Sequence, residues 1–312
     1  KGLPTFILDA GNLFFAKDKV LPGTPAENAI VYSDIILNSF NKMGCDAITL
    51  GSKDFGSGLE KLKALEDGAD FPFISANIQD SFGANIFESY KIIRKNDINL
   101  GVIGLSSVFL NDELRVSDPL PILESLVDEV ASKSDFVVLL FHANDQDITS
   151  VKNSGLDIDL IIQSKTTRRS NDGGGARIPV FSCGDRGKLV YRFEVEISND
   201  SEKITDLSKL DREIATLDRQ LRKATRNNAS VEFDLSIPSE KRKFDEVERL
   251  KTRIRLVNEK IETTQNYIKF EKIELGKTVV DEPEILMIVD EGKRALETLS
   301  SPQPAIPFNR RQ

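Results

Sequence analysis

Donor chemistry is scarce in this chain. Of 312 residues, one is histidine and two are cysteine, and these supply the nitrogen and sulfur ligands most used for transition metals. His142 closes the apolar run 136–141. It can ligate a metal there or persist as a packed, hydrogen-bonded residue, and a metal needs several ligands converging on it. Cys45 and Cys183 stand beside apolar runs and read as small buried hydrophobes. Two cysteines cannot build a disulfide framework, a haem-attachment Cys-x-x-Cys-His or a Cys-rich zinc site. The cations carry more promise. Lys53 follows an apolar run and Gly51, while Lys165, Arg168 and Arg169 follow the run 158–162. Side chains just past the carboxyl ends of strands in an α/β sheet face the ligand crevice. These four can form a basic cup that binds an anion such as phosphate. The plainer alternatives are salt bridges to acids such as Asp54 or Asp9, or hydration.

The elements that must position these residues alternate in type. Residues 5–11 form a continuous apolar strand ending at Gly11, as suits a sheet covered on both faces. Residues 25–43 form a helix with Pro25 near its start and Gly44 at its end. A strand at 47–50, a short amphipathic helix at 58–65 and a strand at 71–78 follow. Two further strands, 90–94 and 98–105, flank a turn at Asn96-Asp97. Then come a helix at about 120–132, the buried strand 136–142, a strand from 158, and closing strands at 178–184 and 187–193. The Gly-rich segment 171–175 lacks the Lys-Ser/Thr of a P-loop and reads as a flexible loop.

From Leu207 the period changes. Leu207, Leu210, Ile214, Leu217, Leu221 and Ala224 recur at three- and four-residue spacing, Asn227-Asn228 breaks the run, and residues 231–238 form a tip. Phe244, Val247, Leu250, Ile254, Val257 and Ile261 resume it. This predicts an antiparallel coiled-coil hairpin over 205–264, each arm roughly 30–35 Å long. It serves as a rigid spacer or as a grip for a protein partner or a second copy. A strand at 267–275, an amphipathic helix at 283–299 and a Pro-rich tail at 300–312 complete the chain. The expected domains are 1–200, 201–266 and 267–312.

The formal net charge of −8 and pI near 5.0 argue against nucleic acid or an anionic membrane as a partner through bulk electrostatics. No apolar run is long enough to span a bilayer.

Several segments resemble the calcineurin-like metallophosphoesterases, in their 5′-nucleotidase branch. Gly51-Ser52-Lys53-Asp54-Phe55 resembles the signature Gly-Asn-His-Glu/Asp-Phe. Residues 71–78 resemble Phe-Pro-x-x-x-Ala-Asn-Ile, residues 100–105 another family strand, and residues 159–167 resemble Asp-x-Ile-Ile-Gly-Gly-His-Thr-His. The likeness covers residue 3 to about 197 in the family's order. It implies a four-layer α/β/β/α sandwich with its site at the carboxyl ends of the central strands. It also implies that Asn12, Ser52, Lys165 and Thr167 replace metal ligands and Lys53 replaces the catalytic histidine, leaving His142 as the retained ligand position. The family's first strand, with an Asp-x-His metal motif, would lie before Lys1. Metal-assisted phosphoester hydrolysis needs cations to polarise the phosphoryl oxygen and generate hydroxide.

The expectation is therefore a catalytically inactive 5′-nucleotidase-like scaffold or assembly protein, with no cofactor. One alternative is a hydrolase with a divalent metal pair, using His142, Asn12, Asp54 and ligands from a preceding segment. The other is a non-hydrolytic phosphate or nucleotide binder using Lys53, Lys165, Arg168 and Arg169. The hairpin and the segments after it resemble an insertion in bacterial relatives that continue into a multihaem c-type cytochrome. That implies an extracytoplasmic location and a cytochrome as a candidate partner.

Overall fold

The computed structural model describes residues 2–170, 173, 177–198, 204–226 and 232–300, and the chain divides into two compact units. The first comprises residues 1–168 and 275–312, the second residues 169–274. The second unit thus begins inside the segment expected to close the first domain.

In the first unit the elements run β1 (Leu8–Asp9), α1 (Thr24–Met43), β2 (Ala47–Thr49), a 3-10 turn (Ser52–Phe55), α2 (Leu59–Asp67), β3 (Phe73–Ile74) and β4 (Ile78–Gln79). They continue with β5 (Tyr90–Lys95), β6 (Ile98–Ser106), β7 (Arg115–Val116), α3 (Pro119–Ala131), β8 (Phe136–His142), α4 (Asp145–Ser154) and β9 (Leu160–Ser164). Strands β1, β2 and β3 form a parallel sheet in that order. In a second sheet β9, β8 and β6 are parallel neighbours and β5 joins antiparallel to β6. The two sheets face each other, β2 lying against β6 and β8. Helices α1 and α2 cover the first sheet through Leu37, Phe40, Leu62 and Leu65, packed with Ile48, Leu50, Phe71 and Phe73. Helix α3 covers β6 and β8. The expected four layers are present.

Strand β8 is buried at all seven positions, as a continuous apolar run between two covering layers requires. Three details differ from the sequence expectation. The first strand is two residues long rather than seven, because residues before Leu8 lack a partner ladder. The single strand expected at 71–78 is broken into β3 and β4, which join different sheets. Helix α4 was not anticipated; Asn144 caps it, its side chain accepting from the Asp147 N–H at 2.9 Å.

The second unit holds β10 (Val180–Phe181), β11 (Leu189–Glu196), β12 (Thr205–Asp206), α5 (Leu207–Ala224), α6 (Pro238–Thr263) and β13 (Tyr267–Glu274). Strands β11 and β13 pair antiparallel over eight positions, and β12 lies parallel to β13. Phe181, Tyr191, Phe193 and Phe270 cluster with ring centroids 4.8–6.4 Å apart. Leu207 and Leu210 at the start of α5 pack with Val257 and Ile261 near the end of α6. Arg253 pairs with Glu213 at 2.6 Å. The two helices therefore run antiparallel. Asn227-Asn228, Val231, most of the Gly-rich segment and the tail from 301 lie outside the described residues. The last helix, α7 (Pro283–Ser300), belongs to the first unit and packs on α1, where Gly292 sits over Ile35.

Candidate functional site

The carboxyl ends of the two sheets in the first unit meet around His142. Register places Ser106, His142 and Ser164 side by side at the ends of β6, β8 and β9. Each serine hydroxyl reaches across to the other sheet, Ser106 donating to the Leu50 carbonyl and Ser164 to the Ala10 carbonyl. His142 is fully buried, its Nδ1 2.8 Å from the Ser164 Oγ. Ser164 has one hydroxyl proton and spends it on Ala10, so His142 must donate from Nδ1. Its Nε2 is then a bare lone pair, with no hydrogen-bond partner in the structure. Burial, followed by the charge of Lys165 and that of Lys53, pushes the ring's pKa down to about 3, against the opposing pull of Asp18. The imidazole is neutral at physiological pH.

Opposite His142, the turn 51–55 is built on Asp54, which is fully buried. Its carboxylate accepts N–H bonds from Asn12 at 2.7 Å, Leu13 at 2.8 Å, Phe14 at 3.0 Å and Gly51 at 2.8 Å. Burial raises its pKa while these four donors pull it back. Asn12 takes a left-handed backbone (φ 63), and its Oδ1 accepts the Lys53 N–H at 3.0 Å. Gly51 is held between them: a Cβ there would lie 2.4 Å from the Asn12 Oδ1 and 2.7 Å from the His142 Nδ1. Asp9, half-buried at the end of β1, accepts from the Gly11 N–H at 2.8 Å. Burial lifts its carboxyl to about 6.

The structure brings Asn12, Lys53 and His142 together and puts the charge of Lys165 within reach of the imidazole. Lys165 is exposed and also left-handed (φ 63), an unusual backbone for lysine. Thr167 is exposed, and Ser52 is half-buried in the turn. Of the four residues expected in a basic cup, Lys53 and Lys165 bear on the imidazole through their charge. Arg168 turns outward to Asp145 at 3.1 Å, and Arg169 belongs to the second unit. Neither Lys53 nor Lys165 is ion-paired to Asp9 or Asp54 among the described residues; Asp54 is occupied by four backbone N–H groups.

No family model matches the chain. It is 39% identical over 80 residues to a 5′-nucleotidase of Vibrio cholerae, covering 25% of this chain and 14% of that protein. It is 23% identical over 204 residues to the trifunctional nucleotide phosphoesterase protein YfkN of Bacillus subtilis, covering 59% of this chain and 13% of the relative. The crystal structure of calcineurin-like phosphoesterase YfkN superimposes with a TM-score of 0.64 at 16% identity, over 95% of this chain and 85% of that one. The chain has a calcineurin-like phosphoesterase fold and is similar in sequence to 5′-nucleotidases over part of its length. It spans less than a fifth of the length of the curated relatives it matches.

The calcineurin-like fold implies a divalent metal pair here, and the side chains present do not fit one. The Asp54 oxygens each accept two N–H groups, and the Asn12 carbonyl oxygen has one of its two lone pairs on the Lys53 N–H. The His142 Nε2 is a free donor atom, and the charges of Lys165 and Lys53 disfavour further positive charge on the imidazole. Among the described residues no group of three or more His, Cys, Asp or Glu side chains is placed to hold a metal. Sequence reasoning missed the roles of Asp54 and Ser164. Asp54 had a signal, an acid three residues after a turn-opening glycine, as at a capped helix start. Ser164 had none, because its partner Ala10 lies 154 residues away.

Proposed function

We propose that this chain is a non-hydrolysing 5′-nucleotidase-like domain that acts as a binding and assembly protein, with the 205–264 helical pair as a coiled-coil arm. The observation that carries the reading is the closed hydrogen-bond economy of the site. Every carboxylate and carboxamide oxygen of Asn12 and Asp54 is engaged by the protein's own backbone, while Lys53 and Lys165 supply positive charge beside His142. A phosphoesterase of the metal-assisted kind needs those oxygens for cations. The arm supports the assembly half. Leu235 and Ile237 at its far end are 52% and 43% exposed, next to the Phe233–Phe244 ring pair at 6.1 Å. The reading includes an extracytoplasmic location and a multihaem c-type cytochrome as a candidate partner, both resting on family resemblance alone. No described helix is long and apolar enough to cross a membrane.

Elemental analysis of the purified protein, with nucleotide hydrolysis measured beside it after Mn²⁺ or Zn²⁺ addition, tests the reading. The expected result is less than one equivalent of metal and no turnover. Two equivalents, with turnover lost in Asn12→Ala or His142→Ala, would overturn it in favour of a working hydrolase.

A second reading, phosphate or nucleotide binding without cleavage, is favoured by the two lysine charges converging on one buried imidazole. It involves Lys53 and Lys165 and leaves out Arg168, which is spent on Asp145.

A further inference from the structure

The second unit contains a cavity of about 590 Å³ between the start of α5, the last turns of α6 and the segment at 177–179. That volume lies in the range of small-molecule sites. The helical period builds it. Arg253, Leu256, Val257 and Lys260 recur at three- and four-residue steps, so they share one face of α6. Lys209, Leu210 and Glu213 present the facing side of α5, and Arg177 and Pro179 close a third side.

The lining carries four cations, Arg177, Lys209, Arg253 and Lys260, against two acids, Asp206 and Glu213. Glu213 is neutralised by Arg253. Asp206 has one oxygen on the Ser208 N–H and the other on the Gly173 N–H, each at 2.9 Å. Arg177, Lys209 and Lys260 have no ion-pair partner among the described residues. The remainder of the wall is apolar: Pro179, Ile204, Leu210, Val257 and Leu256, the last 47% exposed. In a chain of net charge −8, this lining holds an excess of two positive charges beside an apolar wall.

We propose that this cavity binds a small organic phosphate, its anionic group held by Arg177, Lys209 and Lys260 and its apolar body laid on Leu256, Val257 and Pro179. Guanidinium and ammonium donors give charge-assisted hydrogen bonds to phosphate oxygens. The apolar wall distinguishes an organic ester from free phosphate. The site is separate from the His142 region and stands whether or not that region binds an anion.

Calorimetry on the full chain with adenosine 5′-monophosphate, adenosine and inorganic phosphate tests this. The monophosphate should bind more tightly than either part. Lys209→Glu and Lys260→Glu should each weaken it tenfold or more, and Leu256→Ala should weaken the monophosphate while leaving inorganic phosphate unchanged. All three side chains are exposed, so melting curves should match the parent's; Arg177→Glu is a replacement for any that fails to fold. Absence of heat with the monophosphate at millimolar concentration would overturn the proposal. So would binding that survives Lys209→Glu/Lys260→Glu and disappears in Lys53→Ala/Lys165→Ala, which would assign the anion to the His142 region.

Discussion

At Asp54, four N–H groups from two distant segments end on one carboxylate. This one buried carboxyl group ties the loop at 12–14 to the turn at 51–55. Two other groups near it, the buried His142 and the half-buried Asp9, titrate in opposite senses. His142 has a folded pKa of about 3, below its usual 6.5, so its contribution to stability is full above pH 6.5 and is lost as pH falls toward 3. Asp9 has a folded pKa of about 6, above 3.8, so its contribution is full below pH 4 and is lost as pH rises through 6. Between pH 6.5 and 4 the first costs about 3 kcal/mol, and the second, which keeps some solvent contact, returns about 2 kcal/mol. The parent should show a shallow profile. Denaturant titration of Asp9→Asn should show stability falling by about 3 kcal/mol relative to its value at pH 6.5. His142→Gln should instead gain stability on acidification. Parallel profiles for the two variants would refute this assignment.

Among the elements, the contact of α7 on α1 is the most demanding. A Cβ at Gly292 would lie 2.1 Å from the Ile35 Cδ1 and 2.2 Å from its Cγ1, so the helices approach through the missing side chain. Alanine is the better helix former by about 1 kcal/mol, but overpacking costs about 1–3 kcal/mol. Gly292→Ala should therefore destabilise by about 1 kcal/mol, read as a lower thermal midpoint. A raised midpoint would mean that Ile35 simply rotates away. The periodicity of 283–299 made this helix legible in the sequence, but its return to the first unit was not, because no local pattern encodes which surface an amphipathic helix will cover. Helix α4 was missed for a related reason: residues 145–154 bury only Ile148 and Val151, too few to mark a periodic face.

At the scale of the whole molecule, two compact units carry two different kinds of surface. The first unit has a closed polar knot at its sheet ends. The second has the long helices, which at 1.5 Å per residue measure about 27 Å for α5 and about 39 Å for α6. The assembly role proposed for this arm is testable by light scattering. If a second copy is the occupant, the mass should exceed 34.8 kDa at micromolar concentration and return to it in Leu235→Asp/Ile237→Asp. A mass of 34.8 kDa throughout would exclude self-association and leave a different protein as the partner.

While the layer order was implied by family resemblance, the sequence by itself determined the alternation of strands and helices, the antiparallel helical pair and the place of His142 at the end of a buried strand. Each follows from short-range patterning: apolar runs of strand length, three-and-four spacing, and Gly or Pro at the ends. It also placed lysine, serine, threonine and asparagine at the ends of the central strands. Only the tertiary structure decided what those residues do. Arg168 faces Asp145 rather than a cup, Asn12 and Asp54 bind backbone rather than standing open, and Ser164 fixes the tautomer of His142. These outcomes depend on hydrogen bonds between groups 20 to 150 residues apart. Such bonds form only where packing brings a specific donor within about 3 Å of a specific acceptor, and no local pattern carries that information.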